Sequence, residues 1–227
     1  MKQEFPLLNS NYETNLKGVY CIGSLTGAGL IKEAINQGKE VVNHIMRNAH
    51  PDKLPEIVVV GAGPAGISAA LSCRKFGLPC TCIEKEQIAN TIRHYPKNKL
   101  IMAEPAELPL YGQLWIGDSS KEKILEIWER ILLKTKIEIE VDNELSGFEA
   151  LEEGYRVIIK QQSIDCNLII LATGCYGMPK KLGIPGEDLV NVFYSLSDAG
   201  EFKGKEIVLV GAGDSAIESA LALHNRT

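Results

Sequence analysis

Two glycine-rich turns recur in this 227-residue chain, and each directly follows an apolar, strand-like run. The first turn reads Gly-Ala-Gly-Pro-Ala-Gly over 61–66 after the run 56–60, and the second reads Gly-Ala-Gly-Asp-Ser-Ala over 211–216 after the run 206–210. In such a turn the first two glycines permit a tight bend and close contact with a pyrophosphate at the amino end of a helix, and the third position lets helix and strand pack closely. Two such turns predict sites for two dinucleotides.

The residues of the turns are the predicted phosphate-binding residues. Each turn precedes a segment that favours a helix, and Asp214 or Ser215 is expected to cap the second helix. The dinucleotide-binding residues are therefore expected to be Gly61, Gly63, Pro64, Ala65 and Gly66 in the first turn, and Gly211, Gly213, Asp214, Ser215 and Ala216 in the second.

The residues around the first turn predict a complete βαβ unit. The run 56–60 is the first strand, a helix covers about 64–76, Gly77 ends it, and 79–83 is the second strand. Glu84 follows that strand, where a carboxylate accepts hydrogen bonds from the ribose hydroxyls of an adenosine. The alternative for Glu84 is a solvated carboxylate at a strand end.

The stretch 87–117 has no sustained period, which predicts a long irregular excursion that wraps a ligand. It contains Arg93, His94 and Tyr95. His94 is a candidate proton or hydrogen-bond donor, and the alternative is that it is an incidental histidine of the loop.

Further elements are predicted after the excursion. A helix is expected from Ser119 or Ser120 to about Lys134, with Trp128 in the core. A strand over 137–141, an antiparallel meander over 144–150 and 155–161, and a return strand over 167–172 are expected to follow.

Composition narrows the choice of partners. The formal net charge is −5 at pH 7, the sequence pI is near 5.5, and no basic cluster is present, which argues against nucleic acid or an anionic membrane as the main partner. The segment 1–10 carries Lys2, Glu4 and Pro6 without a long apolar run, so neither a secretion signal nor a spanning helix is predicted. We expect a cytoplasmic location.

The six cysteines lack the spacings of zinc sites, ferredoxin clusters or disulfide frameworks, which suits a reducing compartment. No metal site is predicted. Cys80 and Cys82 would point to the same face of an extended strand, so they are either a redox pair or, as we expect, packed free thiols.

The stretch after residue 176 predicts a connection between two domains, because its prolines and Gly186 restrict the backbone. We expect one domain over 51–176 and a second over 177–227. The second is predicted to be incomplete, since a βαβ unit needs about 30 residues and 206–227 supplies one strand and most of one helix. The next strand would distinguish NAD from NADP, so that choice stays open.

Five short motifs follow one another along the chain in a characteristic order. They are the run and turn at 58–66, Ile-Glu-Lys at 83–85, Leu-Ala-Thr-Gly at 171–174, Pro-Gly-Glu at 185–187, and the second turn at 210–216. In this order they resemble the thioredoxin reductase-like class of the pyridine nucleotide-disulfide oxidoreductases. The resemblance implies an α/β, Rossmann-like fold with a central parallel sheet, helices and a small antiparallel meander. It also implies NAD(P)H at the second turn and FAD at the first, with further FAD-binding residues at Glu84, Lys85, Thr173 and Gly174.

The segment 1–50 carries a second resemblance, through residues 12–24 and 30–38. It looks like the strand and helix that close the FAD domain at the carboxyl end of these enzymes. The resemblance implies that Gly23 and Ser24 lie beside the FAD phosphates and ribityl chain, with Ser24 in place of the usual aspartate. It implies that the amino end of the helix, at Leu30 and Ile31, faces the flavin. The alternative is an unrelated amphipathic hairpin.

Two histories explain why this closing segment comes first. One is a circular permutation, and the other is a cut across the junction of two tandem reductase units. The unfinished second nucleotide unit favours the second history. On either account the segment is expected to fill the closing position of the FAD domain that follows it.

One departure from the class concerns its Cys-x-x-Cys pair, which is missing from the interval 188–210. Thioredoxin reduction by the usual route is therefore not expected.

The leading hypothesis is a flavoprotein that passes electrons from NAD(P)H through FAD to a small-molecule or small-protein acceptor. The alternative is a non-catalytic FAD-binding module or a fragment of a larger reductase, for which we expect bound FAD and slow or absent reduction. A flavin monooxygenase would need further motifs that the sequence lacks, and a homodimer is possible.

Overall fold

The computed structural model describes residues 5–95, 100–115, 117–160, 162–175 and 181–224. Its strands are β1 (Val19–Cys21), β2 (Ile57–Val60), β3 (Cys80–Ile83), β4 (Leu100–Ala103), β5 (Ala106–Leu108), β6 (Gly112–Leu114), β7 (Gly117–Ser120), β8 (Leu145–Ala150), β9 (Tyr155–Ile159), β10 (Gln162–Cys166) and β11 (Leu168–Leu171). Its α-helices are α1 (Ile31–Asn48), α2 (Pro64–Phe76), α3 (Asn90–Arg93), α4 (Lys121–Thr135) and α5 (Asp214–His224), and short 3-10 helices cover Gly23–Thr26 and Ala199–Phe202.

A four-stranded parallel sheet forms the centre of the molecule, with the strand order β1-β11-β2-β3. The two inner strands, β11 and β2, have fully buried side chains such as Ile170 and Val59. A parallel strand that is covered on both faces must be apolar along its whole length, which explains the runs Leu-Ile-Ile-Leu and Ile-Val-Val-Val. The predicted α/β class with a central parallel sheet is confirmed.

Helices α1 and α2 pack directly against one another. Helix α2 has the predicted bounds and ends at Gly77, whose left-handed backbone (φ +70°) lets its N–H reach the carbonyls of Arg74 and Cys73. Helix α1 follows β1, as predicted. A Cβ on Gly38 would lie 2.3 Å from the Ala65 carbonyl oxygen, so this glycine allows the two helix backbones to approach closely.

Helix α4 also agrees with its prediction. It begins after Ser120, whose hydroxyl accepts a hydrogen bond from the Lys123 N–H at 3.4 Å. Trp128 is buried in the core, packed among the side chains of the same apolar cluster as Ile124 and Ile131.

The stretch 87–117 is more regular than predicted. It contains the short helix α3, the antiparallel pair β5 and β6, and the strand β4, which pairs with β7. These strands are only three or four residues long, which is too short for a period of two to be visible in the sequence. The prediction of an irregular excursion was therefore wrong in these parts.

The meander is a three-stranded antiparallel sheet with the order β10-β9-β8. Strands β8 and β9 were predicted, but β10 was not, because Gln162, Ser163 and Asp165 give it a polar sequence. The predicted strand over 137–141 is reduced to one bridge, in which Glu140 exchanges backbone hydrogen bonds with Cys82 and Glu84 at the edge of the central sheet.

The predicted strand over 206–210 is absent from the described structure, although α5 forms as expected. Val208 and Val210 are 89% and 75% exposed. A strand is stabilised by hydrogen bonds to a neighbouring strand, and none of the described strands pairs with this run. The proposed boundary at 176 and 177 lies outside the described residues.

Candidate functional site

The first glycine turn joins β2 to α2 and is packed tightly on its inner side. Gly61 has φ +105°, and a Cβ there would lie 2.4 Å from the Ala172 carbonyl oxygen. A Cβ on Gly66 would lie 1.8 Å from the Gly61 carbonyl oxygen. Both positions therefore exclude any side chain, as the sequence pattern predicts.

The outer side of the same turn is open. A Cβ on Gly63 would meet no heavy atom within 4 Å. Gly63 is the N-cap of α2, no side chain caps the helix, and the first turn contains no acidic residue. The N–H groups of Ala65 and Gly66 have no acceptor within the helix, so the positive end of the helix dipole faces this space. The turn can hold an anionic group such as a pyrophosphate.

Glu84 lies against the turn, where it was predicted. One carboxylate oxygen accepts the Ala62 N–H at 2.7 Å and the other accepts the Glu86 N–H at 3.1 Å. The carboxylate thus helps to hold the turn. Lys85, predicted beside it, forms an ion pair with Glu144 at 2.9 Å.

Thr173 and Gly174 follow β11 and adjoin the turn. The hypothetical Cβ of Gly61 would lie 3.1 Å from the Thr173 Cα, and the Ala172 N–H donates to the Val60 carbonyl at 2.7 Å. Gly174 has φ +69°, which suits glycine at the point where the chain leaves the sheet.

The segment after β1 reaches the same place from the other side. The Ile22 N–H donates to the Leu171 carbonyl at 2.9 Å, which sets β1 beside β11. Gly23 has φ +73°, and a Cβ there would lie 2.9 Å from the Ala65 Cβ. The 3-10 helix Gly23–Thr26, which includes Ser24, therefore abuts the first turn of α2.

Leu30 and Ile31 mark the amino end of α1. Leu30 is the N-cap, makes no side-chain capping bond, and is 52% exposed. Ile31 is partly buried against the apolar cluster that contains Trp128. The structure thus brings the first turn, Glu84, Thr173, Gly174, Gly23 and Ser24 to one end of the sheet.

The second glycine turn has the same local backbone features as the first, but none of the described strands surrounds it with a sheet. Gly211 has φ +133°, and a Cβ on Gly213 would meet no heavy atom within 4 Å. Helix α5 begins at Asp214, so neither Asp214 nor Ser215 occupies the capping position, and that prediction was wrong. Gly213 takes this position, and its carbonyl accepts the N–H of Ala216 at 2.9 Å.

His94, the candidate proton or hydrogen-bond donor of the excursion, and its neighbour Arg93 are engaged locally. The Arg93 Nε donates to the Ile88 carbonyl at 2.9 Å, and the His94 Nδ1 lies 2.9 Å from the Asn90 carbonyl. A carbonyl only accepts, so this contact requires the proton on Nδ1. Lys121 donates to the carbonyls of Arg93 and Tyr95.

The described cysteines are not joined in disulfides, and Cys82 is buried. A hydrogen bond with Cys80 and burial raise the pKa of Cys73, and burial raises the pKa of Cys82. A raised pKa keeps a thiol protonated and unreactive. Across the described ranges, no group of three His, Cys, Asp or Glu side chains is arranged to hold a metal ion.

A family model of the pyridine nucleotide-disulphide oxidoreductases matches residues 58–227. The chain belongs to this family. The match includes both glycine turns, whereas the segment that contains β1 and α1 precedes it. Members of the family with known activity are flavin-dependent NAD(P)H oxidoreductases.

Two relatives illustrate the similarity. Ferredoxin–NADP reductase from Ignicoccus hospitalis is 30% identical over 171 residues, which are 74% of this chain and 52% of the relative. Bacilliredoxin reductase Bdr from Bacillus subtilis is 25% identical over 170 residues, 73% of this chain and 52% of the relative. The chain therefore spans about half the length of the curated relatives it matches.

Solved structures agree on the fold. Bacillithiol disulfide reductase Bdr from Staphylococcus aureus has a TM-score of 0.69 at 22% identity and covers 75% of this chain and 54% of its own. Thioredoxin reductase from Lactococcus lactis has a TM-score of 0.55 at 22% identity, with 76% and 53% covered.

No role was predicted from the sequence for two polar residues, Gln37 and Glu187. Gln37 binds the 3-10 helix beside the first turn, as described below. Glu187 accepts hydrogen bonds from the Tyr194 hydroxyl at 2.7 Å and from the N–H groups of Leu182 and Gly183 at 2.5 and 2.6 Å. These bonds lower the pKa of Glu187 to about 2. The Pro-Gly-Glu motif was the available signal for Glu187, and Gln37 gave none.

Proposed function

We propose that this chain is the FAD-binding part, with the beginning of the NAD(P)H-binding part, of a flavin-dependent oxidoreductase. Electrons would pass from NAD(P)H through FAD to a small-molecule or small-protein acceptor. The observation that carries the proposal is the open space at Gly63, which is bounded by free helix N–H groups within a family of such reductases.

The residues present fit the phosphates of FAD. Gly61 and Gly66 have no room for a side chain, whereas Gly63 leaves room for a ligand at the amino end of α2. Glu84, already beside the turn, would accept hydrogen bonds from the adenosine ribose, and Thr173 would line the same edge. FAD, when bound, supplies the hydride-accepting group of the reaction.

We propose that residues 1–50 close the FAD domain of 51–176, and that 177–227 begin the second nucleotide domain. The parallel pairing of β1 with β11 and the close approach of α1 to α2 support the first part. A helix whose amino end faces the flavin would stabilise negative charge on the reduced ring, and Leu30 and Ile31 mark that end of α1.

The acceptor is proposed to receive electrons directly from the flavin. The interval 188–210 contains no cysteine, so no dithiol is available there to relay electrons through a disulfide. The relatives named ferredoxin–NADP reductase and bacilliredoxin reductase support a small redox protein as the acceptor class.

The free thiols support the proposed cytoplasmic location. None of the described helices has the length and apolarity that a membrane span needs.

A second candidate, a non-catalytic FAD-binding module, is favoured by one observation. The run 206–210 is not paired into a sheet, and Val208 is 89% exposed. When the run before a glycine turn is not paired into a sheet, few contacts hold the turn in place. This would weaken binding of NAD(P)H at 211–216.

Anaerobic reduction of the FAD-loaded protein distinguishes the two candidates. NADPH or NADH is added, and bleaching of the visible flavin absorbance is followed, with dithionite as the reference for full reduction. We expect slow bleaching that Gly213→Ala abolishes while FAD is retained. Retained FAD that only dithionite bleaches would overturn the oxidoreductase proposal for this chain and support the module.

A further inference from the structure

The side chain of Gln37 joins α1 to the 3-10 helix Gly23–Thr26. Its Oε1 accepts the Gly23 N–H at 2.7 Å, and its Nε2 donates to the Thr26 hydroxyl at 2.9 Å. The Thr26 hydroxyl lies 2.9 Å from the Gly23 carbonyl and 3.1 Å from Gln37 Oε1. One amide thus contacts both ends of the 3-10 helix.

Proton counting fixes the direction of these bonds. The Gly23 N–H can only donate, so the Gln37 atom facing it is the oxygen, and the nitrogen must face Thr26. The Thr26 hydroxyl has one proton, and the Gly23 carbonyl is its nearer acceptor. The three residues therefore form a closed ring of hydrogen bonds in which each residue both donates and accepts.

This ring holds a backbone that has little freedom to move. Gly23 is left-handed, and its hypothetical Cβ would lie 2.9 Å from the Ala65 Cβ, in the first turn of α2. Ala65 is two residues after Gly63, where the open space begins. A displacement of Gly23 would therefore disturb the first turn of α2, which borders this space.

We propose that Gln37 is a positioning residue of the dinucleotide site. Its amide holds the 3-10 helix against the first turn of α2 and thereby fixes the backbone beside the open space at Gly63. This inference rests on the proposed binding of FAD in that space, beside Gly23 and Ser24.

The test compares Gln37→Met, which keeps the length of the side chain without its amide, with Asn36→Met on the same helix. We expect Gln37→Met to raise the Kd for FAD about tenfold, because the hydrogen bonds that order the backbone of the 3-10 helix beside the site are lost. The control should leave it unchanged. Amide exchange at Gly23 should become faster in Gln37→Met, while the melting temperature of the FAD-free protein matches that of the control.

Two further variants separate positioning from general stability. Gln37→Glu retains an acceptor for the Gly23 N–H, so it should restore exchange protection at Gly23. Thr26→Val removes the hydroxyl at nearly constant shape, and its effect on FAD affinity should not add to that of Gln37→Met, because both break one ring.

The outcomes distinguish this inference from the proposed function. FAD binding that Gln37→Met leaves unchanged would overturn the role of Gln37 alone. A wild-type protein with no affinity for FAD would overturn both the proposed function and the inference.

Discussion

The two glycine turns both begin Gly-Ala-Gly but have different surroundings. In both, a helix begins directly after the second glycine, at Pro64 and at Asp214. The residue three positions before the first glycine is Val58 in one turn and Val208 in the other, and these are 1% and 89% exposed. The first turn follows β2, an inner strand of the parallel sheet. In the described structure, no strand pairs with the run before the second turn.

The difference shows which parts of the motif are local. A helix forms its backbone hydrogen bonds within its own segment, so α5 forms after the second turn without a neighbouring sheet in the described structure. A strand forms its hydrogen bonds with other strands, so 206–210 forms no strand in the described structure and stays exposed. The motif therefore specifies the turn and the helix, but the strand depends on the rest of a sheet.

The last residue of each turn, Gly66 in the first and Ala216 in the second, should show the largest contrast. Gly66→Ala places a Cβ at 1.8 Å from the Gly61 carbonyl oxygen, and we expect it to lower the free energy of unfolding by about 3 kcal/mol. Ala216→Gly in the second turn should cost α5 about 1 kcal/mol of helix stability and leave the main unfolding transition in place. Urea unfolding followed by circular dichroism measures both. Equal effects of the two changes would contradict the contrast.

The strands should differ by a smaller amount. Val58→Ala removes fully buried methyl groups from β2 and should lower the free energy of unfolding by about 2 kcal/mol. Val208→Ala, the matched change before the second turn, should stay within about 0.5 kcal/mol of the wild type. The same urea experiment compares them. A large cost at Val208 would indicate that the run 206–210 is buried in solution.

Part of this contrast was predictable from sequence, and part was not. Helix α2 was predicted with the observed bounds, because Gly63, Pro64 and Gly77 mark its ends. The run 206–210 has the same apolar character as β2, and no local property shows that it lacks partners. Strand β10 was missed for the opposite reason, since its polar residues are paired through the backbone.

The candidate site shows the same limit. The glycine pattern predicted which positions would exclude a side chain, and Glu84 was correctly placed beside the turn. The ring of Gln37, Gly23 and Thr26 joins residues on two different elements, so it depends on tertiary structure that no spacing rule describes.

The loop that contains Glu187 should show the smallest effect, through pH. The pKa of Glu187 is lowered from 4.5 to about 2 by its hydrogen bonds with Tyr194 and with the backbone N–H groups. A lowered pKa in the folded state means that the carboxylate stabilises this loop above pH 4.5 and loses its effect as the pH falls toward 2. Amide protection at Leu182 and Gly183, corrected for intrinsic exchange, should fall over that range.

Glu187→Gln is the control for this effect, because it cannot ionise. Its protection at Leu182 and Gly183 should be lower than in the wild type at neutral pH and should not vary between pH 4.5 and 2. A wild-type loop whose protection is constant over the same range would contradict the role of the carboxylate.

Equilibrium binding of FAD tests the central claim most directly, with the wild type compared with Gly63→Ala. A Cβ at residue 63 meets no protein atom within 4 Å, so the variant should fold as well as the wild type. If the open space receives a dinucleotide phosphate, the methyl group should weaken FAD binding at least tenfold, which is about 1.4 kcal/mol. Equal FAD affinity in the two proteins, or no FAD binding by the wild type, would contradict the account.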